Sequence, residues 1–272
     1  PTRAAADRRA NGAGRARMPN MIVLADRPEA MLELFVPPRD PAGWHRADRL
    51  DPTTAELWKA LGSGAAAWTT EAPGDVESGG FWSRLILVAD APSSQFDLLR
   101  DAIAAPVRDI GPTACVALEG RNFHGHRGRP WQAAAGNLHL SAAWPTKLPA
   151  ATWAACLSML PAVAVVDAVT AVTHGAVRPG TKWVNDVLVQ GGKLAGVLTA
   201  SQVLGGDIDL VVFGIGLNVE TAPPLEPTPF VPAAACLREC AGADHVTLGA
   251  VLRAVIDALA SRLVRLEREG PL

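Results

Sequence analysis

The sequence predicts an α+β fold: a mixed, mostly antiparallel sheet with helices packed on it. Two observations favour this class. Apolar strand segments are paired as hairpins, as in Thr181–Gly196, where a Gly-Gly turn joins two strands. The helical segments are few and separate, and they do not alternate with every strand as in a doubly wound parallel sheet. With 272 residues and 49% hydrophobic content, the chain can bury one large core and a small appendage.

The first eighty residues contain few periodic segments. Residues 1–20 are rich in Ala, Arg and Gly without an apolar period, so we expect a disordered basic tail. We interpret residues 21–80 as an N-terminal extension of unknown role that packs on the main domain. Within it we expect a strand at Met31–Val36, ended by two prolines, and a short helix at Thr54–Leu61.

The main domain is predicted to cover residues 81–272. Its expected strands, besides the hairpin, are Arg84–Ala89, Thr113–Leu118, a half-exposed Asn137–Ala143 and Asp209–Val219. Its expected helices are one that Ser93 or Ser94 caps, one over residues 157–174 and an amphipathic one that Thr247 caps.

Composition excludes several classes of function. The formal net charge of −2 gives no indication of a nucleic-acid partner. The longest apolar stretch, Leu157–Val172, is interrupted by Pro161 and Asp167, so we interpret it as a core helix and expect no membrane partner. The four cysteines are too scattered for a disulfide framework, which predicts reduced thiols in a cytoplasmic protein.

Polar side chains interrupt the apolar frame of the hairpin. Lys182, Asn185, Asp186 and Lys193 are of types that strands disfavour and that are rarely buried. Two lysines, an amide and a carboxylate are a suitable set for a phosphate chain and Mg²⁺, since Mg²⁺ takes one or two carboxylates beside phosphate oxygens. The alternative is an ordinary hairpin with a solvated polar face.

A second group of residues lies in a glycine-punctuated, cationic loop, Glu119–Trp131. Gly125 and Gly128 permit close backbone approach and positive φ, and Arg127 and Arg129 can hold phosphate or carboxylate groups bidentately. Such a loop can close over an anionic intermediate and exclude water. The alternative is an exposed basic loop without a ligand.

Taken in order, five segments resemble the catalytic domain of biotin protein ligases, within the biotin/lipoate A/B protein ligase superfamily. They are Gly125-His-Arg-Gly-Arg-Pro-Trp131, Gly136-Asn-Leu-His-Leu-Ser141, Lys182-Trp-Val-Asn-Asp186, Lys193-Leu-Ala-Gly196 and Gly214-Ile-Gly-Leu-Asn-Val219. The resemblance implies a class II synthetase-like fold. It also implies an ATP-dependent ligase that activates biotin as an acyl-adenylate and transfers it to a lysine of a carrier protein.

The resemblance also implies the roles of residues. Lys193 would be catalytic, contacting the acid and the α-phosphate, with Lys182 supporting it. Asn185, Asp186 and Asn218 would bind the nucleotide, and Asn185 and Asp186 would hold Mg²⁺. Substrate binding would fall to Ser93, Ser94, Gln95, Gly125, His126, Arg127, Gly128, Arg129, Trp131 and Gly196.

This chain departs from the family pattern at several positions. His124 and His126 replace two arginines of the loop, and histidine with an ordinary pKa is mostly neutral at pH 7, so we expect weaker adenylate retention or activity that rises toward pH 6. A His-x-His metal site is the alternative. Gly120 stands where members have a glutamine that reads the acid, which leaves lipoate, octanoate or a non-catalytic acid-binding role open.

At its two ends the chain also differs from the larger family members. Residues 21–80 lack the helical periodicity of a winged-helix repressor domain. The small β-barrel domain that the family has after the last helix is not expected, since the sequence stops at Leu272.

Overall fold

A ten-stranded sheet forms the centre of the part of the chain that the computed structural model describes. The described residues are 21–35, 43–62, 64–70, 80–104, 110–224, 226–227, 233–242 and 246–271. The predicted disordered tail over residues 1–20 lies outside them.

The sheet has the order β2-β3-β1-β4-β5-β6-β10-β9-β8-β7. Its strands are β1 (Ile22–Ala25), β2 (His45–Arg46), β3 (Trp68–Thr70), β4 (Arg84–Ala91), β5 (Thr113–Gly120), β6 (Leu138–Pro149), β7 (Gly180–Lys182), β8 (Asp186–Val189), β9 (Gly192–Leu204) and β10 (Asp207–Leu217). Only the pairs β1–β4 and β4–β5 are parallel among these strands. The predicted mostly antiparallel α+β fold is therefore confirmed.

Helices cover both faces of the sheet. They are α1 (Pro52–Leu61), α2 (Gln95–Ala104), α3 (Ala150–Val172), α4 (Leu237–Ala241) and α5 (Leu248–Glu269). Apolar side chains of α1 and α2 pack on one face of β4, β5 and β10, whereas those of α3 and α5 pack on the other. The pocket described below opens on the α2 face.

The predicted strand Met31–Val36 is wrong. Its described residues include a short 3-10 turn over Leu32–Leu34, which follows another over Pro28–Ala30, and Val36 lies outside the described part. Met31, Leu34 and Phe35 are buried, so these apolar residues face the core without belonging to the sheet. Gly249 of α5 permits this packing, because a Cβ there would lie 2.5 Å from the Glu33 carbonyl oxygen. The strand of this region is β1, which the sequence analysis missed.

The predicted hairpin is present with two changes. Val189 pairs with Gly192, so the two turn residues are Gln190 and Gly191, both with positive φ, rather than the two glycines. The first predicted strand is divided into β7 and β8 by a turn over residues 183–185. This turn leaves Trp183 73% exposed next to the polar residues of the hairpin.

Two central elements are longer than predicted. β6 continues to Pro149, and its first half is buried on both faces, so the predicted half-exposed strand is wrong. α3 begins at Ala150, directly after β6. Among the described residues only α3 is long and apolar enough to cross a membrane, and its buried side chains pack on α5 and the sheet as a core helix does.

The segment predicted as an extension supplies three strands of the same sheet. β1 pairs in parallel with β4, and β3 and β2 continue the sheet outward. The division of the chain at residue 81 stays a prediction.

Candidate functional site

The floor of the site is a stretch of sheet in which three of six positions are glycines. Strand register aligns Gly196, Gly216 and His139 across β9, β10 and β6, and places Leu198, Gly214 and Ser141 in the next row. Since alternate residues of a strand share a face, both rows point to the α2 side. The glycines leave room above the sheet there.

Two aromatic rings occupy part of that room. A Cβ on Gly216 would lie 2.4 Å from the Trp131 ring, and one on Gly214 would lie 3.0 Å from the Phe96 ring. Each ring therefore rests directly on the backbone of β10, so that both glycines are needed for close approach rather than for a positive φ.

An open pocket of about 500 Å³ lies between this floor, α2 and the loop that joins β5 to β6. Its polar lining comes from Ser94, His124, His126, His139, Ser141, Asn185 and Lys193, and its apolar lining from Phe96, Phe123, Trp131, Leu140, Val197, Leu198 and Ile215. The glycines at 125, 196, 214 and 216 complete it.

A carboxylate between two lysines lies at one end of the pocket. Lys193 Nζ is 2.7 Å from Asp186 Oδ1, and Lys182 Nζ is 3.6 Å from Asp186 Oδ2. The Asp186 side chain is only 13% exposed. Lys193 Nζ also lies 5.8 Å from the centre of the Trp131 ring, where a cation is attracted to the aromatic face. Lys182, Asp186 and Lys193, which were predicted from the hairpin, thus form one cluster of ion pairs.

Asn218 and Asn137 fix the backbone beside this cluster. The buried Asn218 amide donates to the carbonyl oxygens of Lys193 (3.3 Å) and Ala235 (3.0 Å). Asn137 accepts hydrogen bonds from three consecutive backbone amides, those of Val219, Glu220 and Thr221. Asn218 therefore ties the end of β10 to the start of β9, where Lys193 lies.

Residues 121–131, the first part of the connection between β5 and β6, form a small hairpin that we call the glycine loop. Its ends are joined by a hydrogen bond from the Trp131 amide to the Phe123 carbonyl (2.9 Å), and its tip by one from Gly125 N to Arg129 O (2.7 Å). Positive φ occurs at Arg127 and Gly128, whereas Gly125 has φ −101°. Gly128 thus uses the positive φ that glycine permits, whereas Gly125 does not.

His124 attaches the glycine loop to α2. Its Nε2–H donates to Asp97 Oδ2 at 2.6 Å, and Nδ1 lies 3.1 Å from the Gly125 carbonyl oxygen. Both ring nitrogens face acceptors, which favours the doubly protonated ring. The carbonyl of Gly125 and then the Asp97 carboxylate raise the pKa of His124. The ordinary pKa that we expected for this residue is therefore wrong.

His139, which the sequence analysis did not select, is a buried neutral partner of Trp131. The indole Nε1–H donates to His139 Nδ1 (3.4 Å), while His139 Nε2–H donates to the Ala134 carbonyl oxygen (3.1 Å). Because the indole only donates, Nδ1 must be unprotonated. Burial lowers the pKa of His139 to about 4, so the ring stays neutral near pH 7.

The pocket includes seven of the residues that were predicted as site residues: Ser94, Gly125, His126, Trp131, Asn185, Lys193 and Gly196. Arg127, Gly128 and Arg129 are exposed at the tip of the glycine loop and do not line it. Gln95 is fully buried elsewhere, where its amide contacts the Leu61 carbonyl and the Cys115 thiol. Ser93, Lys182, Asp186 and Asn218 lie outside the lining as well.

Several lining residues were missed, among them Phe96, Phe123, His139 and Ser141. Alternation in the segment from residue 137 to 141 places His139 and Ser141 on one face, which was the available signal. Which face opens to a pocket depends on the register with β10, and the sequence does not reveal that register.

Comparisons with known proteins found relatives of this chain. Residues 111–218 match the profile of the biotin/lipoate A/B protein ligase family. A biotin–[acetyl-CoA-carboxylase] ligase of Mycobacterium tuberculosis is 37% identical over 153 residues, which is 54% of each chain. The corresponding ligase of Paracoccus denitrificans is 40% identical over 99 residues, 36% of this chain and 41% of that protein. The chain thus spans about half the length of these relatives, or less.

Solved structures share the fold. The biotin protein ligase of Leishmania major in complex with biotinyl-5-AMP superposes with a TM-score of 0.53 at 23% identity, over 65% of this chain and 73% of that one. The biotin protein ligase of Aquifex aeolicus with biotin and ATP gives a TM-score of 0.50 at 24% identity, over 68% and 72% of the two chains.

Proposed function

We propose, on the premise that residues 111–218 belong to the biotin/lipoate A/B protein ligase family, that this chain is an ATP-dependent biotin–protein ligase. It would activate biotin as an acyl-adenylate and transfer the acyl group to a lysine of a carrier protein. The observation that carries the proposal is Lys193, which is placed by Asp186 at the end of the pocket under Trp131.

In the first step a biotin carboxylate oxygen attacks the α-phosphorus of ATP. The bond between the α- and β-phosphates breaks, and pyrophosphate leaves. Negative charge is concentrated between the acid and the α-phosphate, and the Lys193 ammonium would stabilise both groups. The neighbouring Asp186 carboxylate holds the ammonium in place at 2.7 Å, so little reorganisation is needed when the substrates bind.

In the second step the uncharged amine of a carrier lysine attacks the acyl carbon. An amide bond forms, and AMP leaves with the electron pair of the broken acyl–oxygen bond. Neither step needs a covalent enzyme nucleophile. The four cysteines are free thiols, and burial raises the pKa of each of them, which opposes a role as nucleophiles. Free thiols also fit a cytoplasmic location.

The donor set near the phosphates would suit a magnesium ion bound together with ATP. Asp186 would supply one carboxylate and Asn185 one amide oxygen, and phosphate oxygens would complete the coordination, as is usual for Mg²⁺. Lys182, 3.6 Å from Asp186 Oδ2, would turn to the triphosphate when it binds, while Lys193 keeps its contact with Oδ1. The ion would neutralise phosphate charge. Asn218, Arg127 and Arg129 are proposed to assist at the nucleotide, although they do not line the pocket in this structure.

Biotin is the proposed acid, because the pocket combines an apolar wall with polar groups at its rear. Ser94 and Ser141 offer hydrogen-bonding groups for a polar ring, and Phe96, Phe123 and Trp131 would enclose an aliphatic chain. Lipoate and octanoate, which lack a ring urea, are the alternative acids.

The test is pyrophosphate release and acyl-adenylate formation with biotin, lipoate and octanoate, each with ATP and Mg²⁺. We expect turnover with biotin and a much weaker signal with the other two acids. Adenylate formation with lipoate or octanoate alone would assign another acid. Binding of biotin without pyrophosphate release would contradict the enzymatic function.

A further inference from the structure

We propose that Asp97 of α2 is a positioning residue that, through its ion pair with His124, fastens the glycine loop over the pocket before any ligand binds. The identity of the ligand rests on the proposed function, whereas the ordering of the loop by Asp97 does not.

The contact lies at a point where it controls the loop. His124 is in the first strand-like arm of the glycine loop, facing Pro130 of the second arm. The hydrogen bonds at Gly125 and Trp131 hold the two arms together, so that attachment of His124 attaches the whole hairpin. The backbone hydrogen bonds of Gly125 and Gly128 are within the loop, and Arg127 and Arg129 are exposed. The Asp97 contact is thus the polar link from this arm to α2.

The contact between His124 and Asp97 is strong for a partly exposed ion pair. The Nε2 to Oδ2 distance of 2.6 Å is short, and the side chains are only 31% and 27% exposed. Arg100 lies 2.9 Å from the other oxygen of Asp97 and orients the carboxylate. A charge-assisted pair of this kind is worth more than a neutral hydrogen bond.

The proposal includes a pH dependence. At low pH both nitrogens of His124 donate, to Asp97 and to the Gly125 carbonyl; after deprotonation one of the two contacts brings a lone pair against an oxygen. The raised pKa of His124 means that both contacts are complete below the ordinary pKa of histidine and that one of them is lost as pH rises through the raised value. Arg100 opposes protonation of the ring, and His126, His139 and Lys193 are the other titratable groups that line the pocket.

The experiment is amide hydrogen exchange of the ligand-free protein between pH 6 and pH 9, corrected for intrinsic exchange rates. The amides of Gly125, Gly128 and Trp131 report the loop, since each is hydrogen-bonded within it. At pH 6 we expect Asp97→Asn to reduce their protection about fivefold, as for loss of a partly exposed ion pair. Protection in the unmodified protein should fall as pH rises, and that dependence should be absent in Asp97→Asn.

Two further variants separate positioning from a general structural effect. His124→Arg keeps a cation opposite Asp97 at every pH, so loop protection should persist across the range. Asp90→Asn is the matched control, because Asp90 pairs at 3.4 Å with Arg121, the first residue of the loop, and takes no part in the contact with His124. Equal protection in Asp97→Asn and the unmodified protein would overturn the proposal. If Asp97→Asn loses native circular dichroism, His124→Gln takes its place with the same expectation.

Biotin titration calorimetry on the same variants connects the loop to function. The Kd for biotin should rise about fivefold in Asp97→Asn, because binding must then order the loop, and should be unchanged in Asp90→Asn. Absence of biotin binding in every variant would reject the proposed function and leave the exchange result standing. Reduced amide protection of the loop in Asp97→Asn without any change in the Kd for biotin would overturn the positioning role of Asp97.

Discussion

Lys193 carries most of the proposed chemistry at the scale of single residues. Replacing it with methionine retains the volume of its side chain and removes the ammonium. We expect adenylate formation to fall about 10²- to 10³-fold, the usual cost of losing a preorganised charge donor. Stability should change little, because Asp186 keeps Lys182 at 3.6 Å. The measurement is single-turnover pyrophosphate release, with Lys147→Met, at an exposed position of β6, as the control. A loss below tenfold would contradict the role.

His139 predicts a pH-dependent stability. Its pKa is about 4 in the folded protein and near 6.5 when unfolded, so the unfolded chain binds more protons between these values. Stability is therefore full above pH 6.5 and decreases as pH falls toward 4. From pH 7.5 to pH 5 the contribution lost is about 2 kcal/mol.

The measurement is urea unfolding of the protein and of His139→Gln at pH 7.5 and pH 5. The variant should lose about 2 kcal/mol less than the unmodified protein over this interval. The exposed His45→Gln serves as the control and should behave as the unmodified protein. Equal pH dependence of His139→Gln and the unmodified protein would show that His139 is not held neutral.

Some site residues can be predicted from the sequence alone, whereas others are recognised only from their contacts in the folded protein. Lys182, Asp186 and Lys193 were found because charged groups in a strand are unusual in themselves, and the structure joins them. Phe96 and His139 were missed because an aromatic ring on a helix and a histidine in a strand are ordinary core residues. Only the three-dimensional contact with Trp131 or Gly214 distinguishes them.

At the scale of elements, Gly216 of β10 connects the sheet to the glycine loop. Gly216→Ala would place a methyl group 2.4 Å from the Trp131 ring, which must then move away from the floor. Overpacking of this kind costs about 1–3 kcal/mol. We expect the Kd for biotin to rise at least about tenfold, because Trp131 would no longer cover Lys193.

The matched control is Gly180→Ala in β7, where an added Cβ meets nothing within 4 Å and φ is not positive. Calorimetric titration with biotin compares the two variants. Unchanged biotin affinity in Gly216→Ala would mean that Trp131 does not form part of the binding wall.

Element prediction succeeded where one local signal was strong. The short helix α1, the Thr247 cap of α5 and the alternation around the hairpin turn belong to this class. It failed for β1, β2 and β3, which have only 4, 2 and 3 residues, too few to show a period. The strand predicted to begin at Met31 was wrong for a different reason. An apolar run such as Met31–Phe35 predicts that the side chains are buried, but it does not predict the backbone geometry that buries them.

For the whole molecule, the question is whether residues 22–70 are an appendage or part of the folding unit. β1 is hydrogen-bonded to β4 in the interior of the sheet, and Leu24 packs with α1 and α2 side chains in the same cluster as Phe96 of the pocket. Arg84 of β4 also reaches across to Thr54 (2.6 Å) and to the Ile110 carbonyl. These contacts predict one cooperative unit in which the N-terminal strands support the pocket.

The test compares two Leu→Ala substitutions, one at a buried position and one at an exposed position. Leu24→Ala, at a fully buried site in β1, should lower the free energy of unfolding by about 3 kcal/mol, whereas Leu204→Ala, 72% exposed at the end of β9, should change it by less than about 0.5 kcal/mol. Urea unfolding is followed by tryptophan fluorescence and by exchange of the amides of β10. If residues 22–70 belong to the unit, Leu24→Ala shifts both probes together in one transition. An early transition that leaves the β10 amides protected would instead identify a separate appendage, and the pocket would then fold without it.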